Sequence, residues 1–154
     1  MSARIIPVDP FDYVGFGATG DLSQRKLIPA LYYRFYDGQF DTNSRIIGVS
    51  RSEMSDEEFQ KFARDAVNEF VDADHIESQM LDDFIGCFSY IANDVTDREG
   101  WSELSASLRD DPNVVRAFYL AVAPFLFAPI CDYLSSQNYW TPDARVVLEK
   151  PLGH

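Results

Sequence analysis

The stretch Val14-Gly15-Phe16-Gly17-Ala18-Thr19-Gly20-Asp21-Leu22 joins an apolar run to a charged, helix-prone one. Its three glycines have the spacing of a phosphate-binding turn between a strand and a helix. Gly17 would let the backbone approach a pyrophosphate closely, and Gly20 would let the helix pack near the strand. The amides at the helix start would then face the anion. Glycines also cluster in ordinary turns, so the spacing alone leaves a plain strand-to-helix turn open.

The rest of the chain alternates short apolar runs with longer helix-like segments. The apolar runs predict five strands: Phe11–Phe16, Arg45–Ser50, Cys87–Ala92, Val114–Ala121 and Ala144–Glu149. The segments between them predict helices over Asp21–Asp37, Ser55–Phe70, Ile76–Ile85, Asp97–Arg109 and Pro124–Gln137. Apolar strands that alternate with helices indicate an α/β fold with a doubly wound, Rossmann-like parallel sheet, in the strand order 3-2-1-4-5.

Pro29 conflicts with the first helix, because a proline inside a helix removes a hydrogen bond and clashes with the carbonyl four residues earlier. We therefore expect a first turn or two over Asp21–Lys26, kinked against a main helix from about Leu27 to Asp37.

The end of the second strand bears on the choice of dinucleotide. A carboxylate there would accept hydrogen bonds from the ribose 2′-hydroxyl of NAD. This chain instead has Arg51, whose guanidinium suits the 2′-phosphate of NADP. Arg51 therefore favours NADP. Two alternatives stay open: Arg51 could be an ordinary solvated side chain, and Glu53, two residues on, could bind the ribose.

Asp21 places a carboxylate beside the predicted phosphate site, where its charge is unfavourable. With Gln24 it resembles a capping box, and an acid in the first turn favours the helix dipole. Arg25 and Lys26 would offset its charge. Asp21 is therefore expected to form the turn rather than to act as a catalyst.

Composition excludes several classes of protein. The 154 residues suffice for one domain, and 46% are apolar. The net charge of −12, from 25 acids and 13 bases, argues against nucleic-acid binding. No apolar run approaches the roughly 20 residues of a membrane span. The first residues contain no secretory or transit pattern, so we expect the cytoplasm.

The cysteines and histidines predict neither a disulfide nor a metal site. Cys87 and Cys131 lie far apart among apolar neighbours and are expected to be buried free thiols. His75 and His154 have no partner at metal-ligand spacing, so no metal is expected.

Four blocks, in order, resemble the glucose-6-phosphate dehydrogenase family, in its bacterial form, and together they span almost the whole chain. They are Phe16-Gly17-Ala18-Thr19-Gly20-Asp21-Leu22-Ser23-Gln24-Arg25-Lys26-Leu27-Ile28-Pro29-Ala30-Leu31-Tyr32, Ile46-Ile47-Gly48-Val49-Ser50-Arg51-Ser52, Phe118-Tyr119-Leu120-Ala121-Val122-Ala123-Pro124 and Val147-Leu148-Glu149-Lys150-Pro151-Leu152-Gly153-His154.

The resemblance implies an NADP-binding domain over residues 1–154 and a role for particular positions. The pyrophosphate would lie along Gly17, Ala18, Thr19, Gly20, Asp21 and Leu22, and the 2′-phosphate at Arg51. Asp94 and Val95 match a position near the adenosine half, and Tyr119, Ala121 and Pro124 match the nicotinamide side. Lys150 matches a lysine that contacts both sugar phosphate and coenzyme, and Pro151 matches a proline that is commonly cis.

The same resemblance places the catalytic histidine in a following α+β domain. His75 and His154 do not match that base, so no catalytic residue is expected in these 154 residues. The chain stops just after a strand, where such folds bind ligands, and is therefore interpreted as a fragment of a longer enzyme. The resemblance implies that the intact enzyme is a homo-oligomer that assembles through the other domain. A freestanding, non-catalytic dinucleotide-binding module, or another NADP-linked reductase, are the alternatives.

Overall fold

The computed structural model describes residues 10–95, 100–109, 114–136 and 145–148. Five strands form one parallel sheet in the order β3-β2-β1-β4-β5, which confirms the predicted order. The strands are β1 Phe11–Phe16, β2 Arg45–Ser50, β3 Phe88–Ala92, β4 Val115–Leu120 and β5 Arg145–Leu148. The chain leaves β1 toward β2 on one side and later returns to β4 on the other, so the sheet is doubly wound.

The α-helices fall within the predicted segments. They are α1 Ile28–Tyr36, α2 Asp56–Phe70, α3 Ser78–Ile85, α4 Gly100–Ser107 and α5 Phe127–Ser136. Single 3-10 turns at Ala73–His75 and Pro124–Leu126 precede α3 and α5. Ser55 caps α2 as predicted: its hydroxyl accepts from the Glu58 amide, and the Glu58 carboxylate accepts from the Ser55 amide.

Pro29 is accommodated by a widened helical turn. Residues Ser23–Leu27 form a π-helical turn, and the Ile28 amide donates to the carbonyl of Ser23, five residues back. Leu27 and Ile28 keep right-handed helical dihedrals, so the chain passes from this turn into α1 without leaving the helical region. The expected break is thus a π turn, which relieves the clash between the Pro29 ring and the preceding turn.

Two apolar layers cover the sheet. One contains α1, α2 and α3 and packs on Ile46 and Tyr90, while the other contains α4 and α5 and packs on Ile47 and Val49. Gly48 lets α2 approach the first face, because a Cβ there would lie 2.4 Å from the Phe59 ring. No helix in the described ranges is long and apolar enough to span a membrane.

The two cysteines are free thiols, as predicted, but differ in burial. Cys87 is buried, as predicted. Cys131 is only half-buried, so the prediction that it is buried was wrong. Burial raises the pKa of the Cys87 thiol to about 11, which keeps it protonated at neutral pH.

A buried ion pair fastens the start of β1 to the segment after α4. The Asp12 side chain is fully buried and accepts hydrogen bonds from the Arg109 amide at 2.8 Å and from Arg109 Nε at 2.9 Å. The same guanidinium donates to the carbonyls of Phe11 and Asn43. Arg109 therefore links the segment after α4 to the start of β1 and to the residues before β2, at the amino ends of these strands.

Replacing Arg109 with Ala should destabilise the fold by about 3 kcal/mol, because the buried Asp12 carboxylate keeps the bond from the Arg109 amide but loses its guanidinium partner. The measurement is the free energy of unfolding in urea. Lys61→Ala is the control, since it breaks the exposed Lys61–Asp65 pair and should cost less than about 1 kcal/mol. Equal losses for the two variants would contradict the role given to Arg109.

Candidate functional site

A groove of about 610 Å³ lies outside the carboxyl ends of β1, β2, β3 and β4. This volume is within the range of about 300–1,000 Å³ usual for small-molecule sites. Its position, where the chain switches from one side of β1 to the other, is where open α/β sheets bind ligands. The predicted residues that line it are Gly17, Thr19, Gly20, Arg51, Asp94, Val95 and Ala121.

The glycine turn is held by the ends of two neighbouring strands. Gly17 has φ of +79°, and a Cβ on it would lie 2.2 Å from the Ala121 carbonyl oxygen. The amides of Gly17 and Ala18 both donate to the Val49 carbonyl, at 2.9 and 3.2 Å. Close strand packing thus explains the glycine at 17, and these two amides already have an acceptor within the protein.

The amides at the start of the helix that follows the turn differ from those of Gly17 and Ala18. Gln24 donates to the Gly20 carbonyl, so the amides of Asp21, Leu22 and Ser23 belong to the first turn. Amides of a first turn have no acceptor one turn back in their own helix. Such amides, together with the positive end of the helix dipole, are the groups with which a helix start can bind an anion.

Asp21 does not form the predicted capping box with Gln24. Its carboxylate accepts a hydrogen bond from Arg25 Nε at 2.6 Å, one helical turn on, and both side chains are exposed. This carboxylate raises the pKa of the Arg25 guanidinium. The geometry differs from the prediction because a residue in the first helical turn reaches the side chain four positions on. The expected offset of the Asp21 charge by Arg25 is present.

A chain of hydroxyl groups, which sequence reasoning missed, links the glycine turn to the loop after β2. Thr19 Oγ1 lies 3.0 Å from Ser50 Oγ, which lies 2.7 Å from the Tyr90 hydroxyl. Tyr90 in turn donates to the Ser52 carbonyl at 2.6 Å. Because a tyrosine hydroxyl has one proton, Ser50 must donate to Tyr90, and Thr19 must then donate to Ser50.

Arg51 and Glu53 take different positions in the loop after β2. Arg51 is exposed and lines the groove, and no carboxylate within the described part of the chain forms an ion pair with it. Glu53 is exposed but is not among the residues that line the groove. The groove therefore carries a guanidinium at this edge, without a carboxylate beside it from Glu53.

Asn93, directly after β3, is a second residue that sequence reasoning missed. It lines the groove and is 4% exposed, and neither its side-chain oxygen nor its nitrogen has a hydrogen-bond partner. Leaving a buried amide unpaired is costly, so such groups mark sites whose partner is a ligand or water. The sequence feature that could have identified Asn93 is a polar residue at the end of a predicted strand, next to Asp94.

The remaining predicted positions that the structure describes do not line the groove. Ala18 is buried under the turn, and Leu22 and Asp21 lie on the helix that follows. The Tyr119 ring packs 6.2 Å from that of Tyr13, and Pro124 begins a 3-10 turn beside the groove. Lys150 and Pro151 lie outside the described residues.

A family model described as "Glucose-6-phosphate dehydrogenase, NAD binding domain" matches residues 14–154. The chain belongs to this family. It is 42% identical to the glucose-6-phosphate 1-dehydrogenase of Rhizobium meliloti over 99% of its own length, and 44% identical to that of Gluconobacter oxydans over 95%. It spans 31% and 30% of those two proteins, which is about a third of the length of its curated relatives.

Solved structures of the family have the same fold. A glucose-6-phosphate 1-dehydrogenase from Mycobacterium avium matches with a TM-score of 0.80 and 32% identity, over 94% of this chain and 31% of the other. A glucose-6-phosphate dehydrogenase in complex with its substrate matches with a TM-score of 0.77 and 29% identity, over 100% of this chain and 32% of that one. These relatives are oxidoreductases, and the family domain binds a nicotinamide dinucleotide.

Gly17→Ala should lower the free energy of unfolding by more than about 2 kcal/mol, since a positive φ is costly for alanine and its Cβ would meet a backbone carbonyl. Urea unfolding measures the loss. The matched control is Gly86→Ala, where φ is −61° and the new Cβ lies 3.4 Å from the nearest atom. That variant should change stability by less than about 1 kcal/mol. A Gly17 variant as stable as its control would refute the packing argument.

Proposed function

We propose that the chain is the NADP-binding domain of a longer glucose-6-phosphate dehydrogenase, which oxidises glucose 6-phosphate to 6-phosphogluconolactone. The observation that carries the choice of NADP is Arg51, an exposed guanidinium on the rim of the groove without a carboxylate partner in the described residues. The family and the substrate named for one solved relative support the reaction.

The described residues fit a dinucleotide along the groove. First-turn amides and the helix dipole supply a phosphate site that needs no basic side chain. The unpaired amide of Asn93 supplies both a donor and an acceptor beside the ends of β2 and β3. The chain carries a net charge of −12, so the binding of a phosphorylated coenzyme rests on such local groups and not on overall attraction.

Each part of the chain has a defined task in this proposal. The coenzyme, when bound, accepts a hydride from C1 of the sugar phosphate. The turn at Gly17–Asp21 orients the diphosphate, Arg51 binds the 2′-phosphate through charge-assisted hydrogen bonds, and Asp94 and Val95 lie near the adenosine. Lys150, from the resemblance, would contact coenzyme and sugar phosphate. The base that removes the C1 hydroxyl proton lies in the other domain.

Location and assembly are part of the same proposal. Two free cysteines are typical of a reducing compartment, which supports the cytoplasm. The family resemblance supports a homo-oligomer that assembles through the second domain.

Arg51→Ala should weaken NADP binding by about tenfold to hundredfold, since a hydrogen bond to a charged group contributes about 1.5–3 kcal/mol. NAD has no 2′-phosphate, so its affinity should change by less than about twofold. Isothermal titration of both coenzymes provides the comparison. Arg64→Ala is the control, because Arg64 pairs with Asp82 away from the groove. An unmodified chain that binds NAD and NADP equally well would contradict the proposed selectivity.

A turnover assay distinguishes the proposed enzyme from a freestanding dinucleotide-binding module. A longer protein that contains this chain should reduce NADP when glucose 6-phosphate is added, and Lys150→Ala should slow it. The 154 residues alone should show no turnover, because they lack the base. NADP binding with no activity in any longer protein would favour a freestanding dinucleotide-binding module, and turnover by the short chain would refute the placement of the base.

A further inference from the structure

The loop that carries Arg51 is held at both ends by one residue of the neighbouring strand. Tyr90, in β3, donates its hydroxyl proton to the Ser52 carbonyl at 2.6 Å. Its backbone amide donates to the Asp56 carboxylate at 2.8 Å. Asp56 is the first residue of α2, so these two bonds hold the chain from Ser52, just after Arg51, to the start of α2.

The Tyr90 side chain is suited to hold this loop rigidly. It is 7% exposed, and its ring lies 5.2 Å from that of Phe59 in α2. Burial raises the pKa of the Tyr90 hydroxyl, so it stays protonated and remains a donor at neutral pH. Since the Ser52 carbonyl can only accept, the direction of this bond is fixed.

The same hydroxyl connects the loop to the phosphate turn. Ser50 donates to Tyr90 and accepts from Thr19, so three hydroxyls run from the glycine turn to the backbone after Arg51. Consecutive hydrogen bonds in a partly buried environment strengthen one another. Movement of the Ser52 carbonyl would therefore break bonds that reach Thr19.

We infer that Tyr90 is a positioning residue for coenzyme selectivity: through Ser50 and Ser52 it holds the chain on both sides of Arg51, so that the guanidinium meets a 2′-phosphate while the glycine turn holds the diphosphate. This inference rests on the proposed function. Tyr90 contacts neither phosphate itself. Its hydroxyl restrains the peptide between Ser52 and Glu53, one residue after Arg51, which reduces the conformational entropy that binding would otherwise remove.

Tyr90→Phe removes only the hydroxyl and keeps the buried ring. Adenosine 2′,5′-bisphosphate and 5′-AMP are the probes, because they differ by the 2′-phosphate alone. The variant should weaken binding of the bisphosphate by about threefold to tenfold, the value of one lost hydrogen bond, and should change binding of 5′-AMP by less than about twofold. Ser50→Ala removes the middle hydroxyl of the Thr19–Ser50–Tyr90 series. It should also lower the ratio of the affinity for the bisphosphate to the affinity for 5′-AMP.

Tyr32→Phe is the matched control. Tyr32 is also buried, and its hydroxyl donates to the His75 carbonyl at 2.8 Å and accepts from the Glu77 amide, so it holds the segment before α3 and not the loop after β2. The Tyr32→Phe variant should be less stable but should keep the same ratio of affinities for the bisphosphate and 5′-AMP. Amide hydrogen exchange over residues 51–55 should rise in the Tyr90 variant and stay unchanged in the Tyr32 variant.

The outcomes separate this inference from the function on which it rests. An unmodified chain that does not prefer the bisphosphate would refute the NADP assignment and this inference with it. A clear preference that Tyr90→Phe leaves intact, or an equal loss for both probes, would refute only the role of Tyr90. The same ratio change in the Tyr32 variant would show a general effect of stability and would also refute it.

Discussion

The packing of Gly17 against the ends of two strands is the constraint on which the groove depends. Its α-carbon lies so near the Ala121 carbonyl, after β4, that no side chain fits, and its amide donates to Val49 in β2. Three neighbouring strand ends therefore meet at one residue with a left-handed backbone. Because the turn is fixed on both sides, the helix that follows starts at a defined place beside the groove.

The electrostatics of the groove follow from this arrangement. An acidic chain of net charge −12 opposes anions at long range, so a phosphate site must rely on short-range groups. Helix amides provide one such group, and Arg51 provides another at the end of β2. Asp21, which would oppose an anion at the turn, is instead paired with Arg25. The pairing is local and needs no contact with the rest of the fold.

Local pattern was sufficient to predict most elements, and the failures have physical reasons. The strands and the Ser55 cap follow from nearest neighbours in sequence, and so does the conflict at Pro29. How the conflict is resolved, by a π turn, depends on how α1 packs and is not encoded by proline itself. The Thr19–Ser50–Tyr90 chain joins residues 31 and 40 positions apart, so it becomes visible only once the register of β2 against β3 is known. Asn93 was missed for a similar reason, because its burial and lack of a partner are properties of the folded groove.

The division between turn and loop bears on how selectivity for a coenzyme can be built into such a sheet. In the proposed function, the diphosphate site would use backbone amides, which no substitution removes easily, whereas the 2′-phosphate site would depend on one exposed side chain after β2. A long arginine loses rotamer freedom when it binds, and this cost grows if its backbone is also free. Holding the adjacent carbonyl through Tyr90, at 2.6 Å, restricts the backbone while leaving the guanidinium free to meet the phosphate. A buried tyrosine in β3, remote in sequence from Arg51, therefore supplies a restraint that the inferred selectivity would use.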